Sequence, residues 1–341
     1  MKAKHMDKRL KAYKEKIITY FLHYFQFEKK NFMIPLILIM IFYGIAVFLR
    51  IKTGKDFYLI NFMYIGTALG IGLFLTNSLK REYSGWGRRI AQFLIGTYML
   101  VFIGILMNEN IQIEGFFFYI FSGIFTGSVL HYFIAKIAGP VIFNRGWCGW
   151  ACWTAMVLDL LPFKTPSIGR IKKIGKLRYA SFIISLMLVI IIWFAMGPER
   201  LSILDNHAFY WLITGNLIYY ALGILLAFFL KDNRAFCKYL CPVSVIMKLT
   251  SRFSMLKMTI YKRKCSECGL CEKNCPMNIK LMDYKKQGKR ILSTECILCC
   301  TCIDVCPEKA IHMTFKYDHG NKEYLDYNEG KVIEKGKNEN K

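Results

Sequence analysis

Hydrophobic and polar positions divide the chain into two unlike parts. Between Phe32 and Leu230 six apolar runs follow one another: Phe32–Leu49, Phe57–Leu75, Ile90–Met107, Phe116–Ile137, Tyr179–Met196 and Ala208–Leu230. Each reaches, or nearly reaches, the roughly 17–25 residues with which a helix crosses the hydrocarbon layer of a bilayer. None carries Asp, Glu or Arg in its interior, and Lys136 sits at the end of its run. A soluble core has no room for six such helices in succession. The pattern therefore predicts a membrane all-α fold, a six-helix transmembrane bundle over residues 32–230. Residues 231–257 read as a connector, 258–315 as a small α+β domain, and the polar, aperiodic stretch 316–341 as a tail without fixed structure.

Charge sharpens this picture. The formal net charge is +24, and most of it gathers in alternate loops. The arm 1–31 holds nine Lys and Arg, interleaved with Tyr, Ile, Phe and Leu in the manner of an amphipathic helix lying in the interface. The connection NSLKREYSGWGRR adds Lys80, Arg81, Arg88 and Arg89, and the segment between the fourth and fifth runs adds Arg145, Lys164, Arg170, Lys172, Lys173, Lys176 and Arg178. By contrast NENIQIE has none; Arg50, Lys52 and Lys55 in the first outer loop are the discordant group. The excess of positive charge on one side orients both termini toward the cytoplasm of a prokaryotic inner membrane. Anionic lipid then accounts for the basic balance, and no nucleic-acid motif competes with it. Gly66–Gly70 and Gly123–Gly127 are small-xxx-small pairs, expected at helix contacts.

The chemistry lies in the cysteines. CSECGLCEKNCP, Cys265–Pro276, returns 31 positions later as CILCCTCIDVCP, Cys296–Pro307. Each copy is C-x2-C-x2-C-x3-C-P, in which three close thiolates wrap one [4Fe–4S] cluster and the fourth reaches the other. That rule assigns Cys265, Cys268, Cys271 and Cys306 to the first cluster, and Cys296, Cys299, Cys302 and Cys275 to the second. Cys300 falls outside the pattern as a spare buried thiol. Zinc sites use separated C-x2-C pairs, and disulfides belong to oxidising compartments, so both fit less well.

The segment from Met258 to Phe315 resembles the bacterial two-cluster ferredoxin domain, which implies one-electron transfer. Two further pairs stand upstream: Cys148 and Cys152 in RGWCGWAC, and Cys237 and Cys241 in RAFCKYLCP. On a helix, i and i+4 share a face, so the pairs can converge on a metal, a further cluster or a dithiol switch; buried packing thiols are the plain alternative. Paired C-x3-C motifs at membrane-helix ends ahead of a two-cluster ferredoxin domain resemble the NapH/NosR-type membrane ferredoxins. The resemblance spans about Phe116 to Phe315 and implies respiratory electron transfer. The chain departs from it in three ways: Trp153 replaces the proline after the first pair, no large flavin-binding domain is present, and six runs exceed the four expected of NapH.

Of six histidines only His131 lies inside an apolar run; His207 is near an outer boundary, and His5, His23, His312 and His319 lie in cytoplasmic segments. That distribution argues against a two-haem cytochrome. His131 is a candidate quinone contact, against the alternative of a helix-packing histidine. The expected function is a membrane-bound iron–sulfur relay between a quinone pool or cytoplasmic donor and a partner reductase, with quinol dehydrogenase activity as the enzymatic form. The alternatives are an electron supplier for metal-centre assembly and a membrane redox sensor.

Overall fold

The structure is a computed structural model that describes residues 24–25, 28–125, 127–195, 200–318 and 322–328. The amphipathic arm up to residue 23, with His5 and His23, lies outside the described residues, as does His319. The chain divides into two compact units, Met1–Ala91 and Gln92–Lys341.

In the first unit α1 (Lys29–Thr53) and α2 (Asp56–Ser78) form an antiparallel hairpin. Gly54, at φ 68°, closes α1 in the left-handed conformation and returns its N–H to the Arg50 carbonyl at 2.8 Å. The Gly66–Gly70 expectation holds: a Cβ at Gly66 would stand 2.4 Å from Phe42 Cβ, and one at Gly70 2.5 Å from Ile39 side-chain atoms. Small residues let the two backbones approach. Most of α1's apolar surface, from Phe32 and Met33 to Phe48 and Ile51, is exposed, as suits a lipid-facing helix.

Among the described residues five helices are long and apolar enough to span a bilayer: Asn31–Thr53, Asp56–Ser78, Ser84–Leu106 (α3), Ile174–Ala195 and Ala208–Leu230. The six-span expectation is met by five long helices and, at the fourth run, by a shorter apolar helix, Gly127–Phe143. Residues 116–137 do not form one continuous helix; α4 (Ile113–Phe121) folds back on α5 (Gly127–Phe143). Phe116 stacks on Tyr132 with ring centroids 4.3 Å apart, in a core with Ile113, Tyr119 and Val129. Gly123, at φ 69°, makes the turn, so it is a helix breaker and not the helix contact expected of it. The Glu109 carboxylate accepts the Ser128 N–H at 2.6 Å, capping the new helix start with negative charge.

Within the second unit the chain continues through α6 (Gly146–Trp150), α7 (Trp153–Leu158), α8 (Leu177–Ala195) and α9 (Arg200–Leu230). Next come α10 (Ala235–Tyr239) and α11 (Val243–Ser251). The small domain is clasped by β1 (Leu256–Ile260) and β2 (Ile311–Phe315), antiparallel with Met258 opposite Met313. Between them lie the two cysteine loops and α12 (Leu270–Lys273), α13 (Leu281–Lys286) and α14 (Thr301–Asp304).

The tail expectation is also corrected for residues 322–328. Tyr324 and Asp326 bond the backbone of Lys280 and Asn278, while Arg170 bonds Asp326 and Asn328. Leu325 is buried, and Glu323 accepts from Ser293 and Thr294. A polar segment without periodicity is ordered here by isolated backbone bridges, Arg170 to Tyr327 and Ile279 to Leu325, which hydropathy does not register.

Candidate metal centres

The two cysteine loops share one backbone. Left-handed residues recur 31 positions apart as Glu267 and Leu298, Gly269 and Cys300, and Asn278 and Lys309. Alternation of left- and right-handed residues turns successive N–H groups into a concave anion nest. Cys300 therefore occupies the place of Gly269: each precedes a short helix, α12 or α14, as its left-handed cap. Its Sγ lies 3.4 Å from the Leu298 carbonyl.

One cavity in the small domain is lined by Cys275, Cys296, Cys299, Cys300 and Cys302, with Met258, Met277, Ile279, Leu281, Ile291 and Ile297 around them. Cys275 comes from the first loop and the other thiols from the second. A set of soft thiol donors in an apolar shell fits an iron–sulfur cluster. Burial, with Cys299 nearby, pushes the Cys275 thiol up to about 11 and Cys296 up to about 12. These thiols stay protonated until a metal takes their protons' place. At the other loop Cys265 and Cys271 are electrostatic neighbours, Cys268 is exposed, and buried Cys306 accepts the Ala310 N–H at 3.3 Å. Among the described residues no three His, Cys, Asp or Glu side chains stand in the arrangement of a single-ion site.

The four upstream cysteines lie in one electrostatic neighbourhood. Cys241 is within electrostatic reach of Cys237, Cys148 and Cys152, and all but Cys152 also act on Arg145. The helical spacing expected of each pair is corrected by the geometry. α6 and α10 end before the second cysteine, and Cys152 and Cys241 each return their N–H to the residue five back, Trp147 at 3.0 Å and Phe236 at 2.9 Å. Cys152 is extended (φ −72°, ψ 122°) although Trp153, not proline, follows it, so the missing proline leaves the turn intact. Cys148 Sγ lies 3.6 Å from Met247 Sδ. Arg234 donates to the Cys148 carbonyl at 2.9 Å and to Asp159 at 2.5 Å. Burial pushes the Cys237 thiol up to about 11 despite the Arg234 charge beside it.

His131 stands next to this site, edge-on to Trp147 with ring centroids 4.8 Å apart. Its Nε2 is buried with no hydrogen-bond partner among the described residues. Lys136 lies 4.5 Å from the Trp147 ring and 5.2 Å from the Trp153 ring, within reach of Cys148, Cys152 and Cys241. Sequence reasoning took Lys136 only as a boundary residue; a cation between two tryptophans in C-x3-C neighbourhoods is the signal it passed over. His312 stacks on Tyr261, and the His207 side chain is outside the described set.

A second feature missed in the sequence is Glu295, beside Cys296. It is fully buried and takes Arg145 at 2.6 Å, Arg170 at 3.0 Å, Arg178 at 2.8 Å and Lys248 at 3.0 Å. Burial alone would raise its carboxyl, but the four cations hold it well below the usual carboxylate range. This network joins the membrane-side loops to the small domain. The same seam carries Arg145 N–H to the Cys296 carbonyl (3.3 Å) and the Trp150 indole to the Leu298 carbonyl (2.9 Å). At Gly149 a Cβ would stand 2.2 Å from the Ile297 carbonyl. Lys238 reaches Asn278 and Asp232 from the other C-x3-C segment.

Comparison with known proteins agrees with this layout. A family described as 4Fe-4S dicluster domain matches residues 257–307, and one described as 4Fe-4S binding domain matches 125–164 and 216–263, the stretches that hold the upstream pairs. An uncharacterized protein of Methanocaldococcus jannaschii is 27% identical over 66% of this chain and 85% of its own length. The ferredoxin-type protein NapH of Haemophilus influenzae is 26% identical over 52% of this chain and 65% of its own. The putative electron transport protein YccM of Escherichia coli is 24% identical over 51% and 52%. No solved structure matches the chain. With its apolar spanning helices, its two cysteine loops and these relatives, the chain is similar to the NapH-type membrane ferredoxins.

Proposed function

We propose that this membrane iron–sulfur protein relays electrons between a quinone pool or cytoplasmic donor and a partner reductase. In this reading Cys265, Cys268, Cys271 and Cys306 hold one [4Fe–4S] cluster, and Cys296, Cys299, Cys302 and Cys275 hold the other. When bound, the clusters supply one-electron transfer. The observation that carries the reading is the cavity in which Cys275 of the first loop meets the thiols of the second. The chain's own part is to orient the thiols, exclude water with Met258, Ile291 and Ile297, and hold the second loop against the membrane domain through Glu295.

Cys148, Cys152, Cys237 and Cys241 form a third redox or metal site, with His131 and Lys136 flanking a docking position for quinone. The seam from Gly149 and Trp150 to Ile297 and Leu298 supports an electron path from that site to the second cluster. Both termini face the cytoplasm, as the balance of loop charges favours, with the shorter apolar helix Gly127–Phe143 completing an even number of crossings beside the five longer ones. Iron and acid-labile sulfide analysis with EPR on anaerobically purified protein tests this: about eight irons mean two cubanes, and about twelve include the upstream cysteines. Iron-free protein overturns it.

The second reading is electron supply for metal-centre assembly. It is favoured by Met247 Sδ beside Cys148, since thiol and thioether together suit copper(I). Copper bound at the upstream cysteines and lost in their serine variants would select it.

A further inference from the structure

The two cysteine loops differ in charge. Between Tyr261 and Arg290 there are nine Lys and Arg against three acidic residues; between Ile291 and Phe315 there is one against three. The acidic side of the first loop is already engaged, Glu267 by Lys285 at 2.6 Å and Asp283 by Lys286 at 3.9 Å. Lys262, Arg263, Lys264 and Lys289 are exposed, with no carboxylate paired to them among the described residues. They are close in space, because Lys262 Nζ lies 3.0 Å from where a Cβ at Gly288 would stand, and Lys285 Nζ lies 3.4 Å from the Cys265 carbonyl. Beside this basic rim are the exposed Cys268, Leu270 at 39% exposure and Tyr261 at 52%. Of the thirteen cysteines, Cys268 alone is exposed.

We propose that this rim is the docking surface for a small acidic one-electron carrier protein, which meets the first cluster at Cys268. The inference rests on the two-cluster reading above. A small apolar centre with a charged rim is the anatomy of a weak, fast redox encounter, in which charge complementarity raises the association rate. The second loop is closed off by residues 145–150, so the first is the open end of the path. Transfer there makes and breaks no bond and moves no proton: the carrier loses one electron as the cluster gains one, or the reverse.

The test uses the full-length protein, anaerobic and in detergent, with an acidic plant-type [2Fe–2S] ferredoxin as probe. Binding to the immobilised protein and the rate of electron exchange are both read against salt. The triple variant Lys262→Glu/Lys264→Glu/Lys289→Glu is expected to weaken both by about tenfold or more at low ionic strength, with the gap closing at high salt. It should keep the wild-type iron content. A control of equal charge change, Lys172→Glu/Lys173→Glu/Lys176→Glu, should leave both unchanged. Equal loss in the two variants, or no loss in either, overturns the proposal. So does a triple variant that loses binding to anionic phosphatidylglycerol vesicles while its ferredoxin binding is unaffected, which would make the rim a lipid contact. Iron-free wild-type protein would overturn the cluster reading itself; iron-replete wild type that ignores the ferredoxin overturns only the docking surface.

Discussion

The two cysteine loops have one spacing and one backbone but opposite surroundings. The first, CSECGLC, carries Ser266 and Glu267 into solvent; the second, CILCCTC, buries Ile297 and Leu298 against the Gly146–Trp150 turn. Ligand geometry demands the spacing and the left-handed turns in both. The residues between the ligands are left to choose what each loop touches. One fold unit, duplicated, thus yields one end facing the membrane domain and one end facing solvent, and the asymmetry is chemical before it is structural.

The largest expected blow to this contrast is Glu295→Gln. It leaves four cations converging on a neutral amide, and breaking a buried ion network costs about 3–5 kcal/mol. Thermal unfolding should report that loss, and the second loop should lose its iron before the first; equal retention in both loops would contradict the seam. Because the folded carboxyl titrates below its unfolded value near ~4.3, its contribution is complete above that value. It is lost only as pH falls through the lowered folded value. The wild-type advantage over Glu295→Gln should therefore be flat from pH 6 to 8 and shrink in acid.

Gly149→Ala comes next. Its methyl would meet the Ile297 carbonyl, so the loops must part, at about 1–3 kcal/mol. Gly146→Ala, whose nearest contact is Phe143 Cδ2 at 3.3 Å, should cost less in the same melting experiment. If the seam carries electrons, EPR of the reduced Gly149→Ala protein should show weakened coupling between the upstream site and the second cluster.

The smallest effects compare the left-handed positions directly. Cys300→Gly should stabilise by about 1 kcal/mol and Gly269→Ala destabilise by about as much, since a Cβ is disfavoured at positive φ. Iron content should be unchanged in Cys300→Gly; a loss of iron would make Cys300 a ligand. Trp150→Phe removes one hydrogen bond to Leu298 and should cost about 1 kcal/mol in unfolding free energy.

Much of this was legible in one dimension. Eight cysteines in register and the apolar runs are local properties: a cluster loop needs fixed intervals between ligands, and a lipid-facing helix needs an unbroken stretch of hydrocarbon. The fourth run misled as to where its helix begins, because its total hydropathy is right while Gly123 breaks its backbone, and hydropathy does not read φ. The C-x3-C pairs were found, yet their turn was misjudged, since helix termination depends on what packs against the helix end.

From the chain alone came the cysteine intervals, the greasy spans and the unequal charge of the two loops, because each is written in consecutive residues. Only the folded molecule could bring Arg145, Arg170, Arg178 and Lys248 onto Glu295. It alone paired the tail with Arg170 and set Gly149 on the Ile297 carbonyl. Those partners lie far apart in sequence, and a buried charge takes whichever counter-charges the packing delivers, not those nearest along the chain.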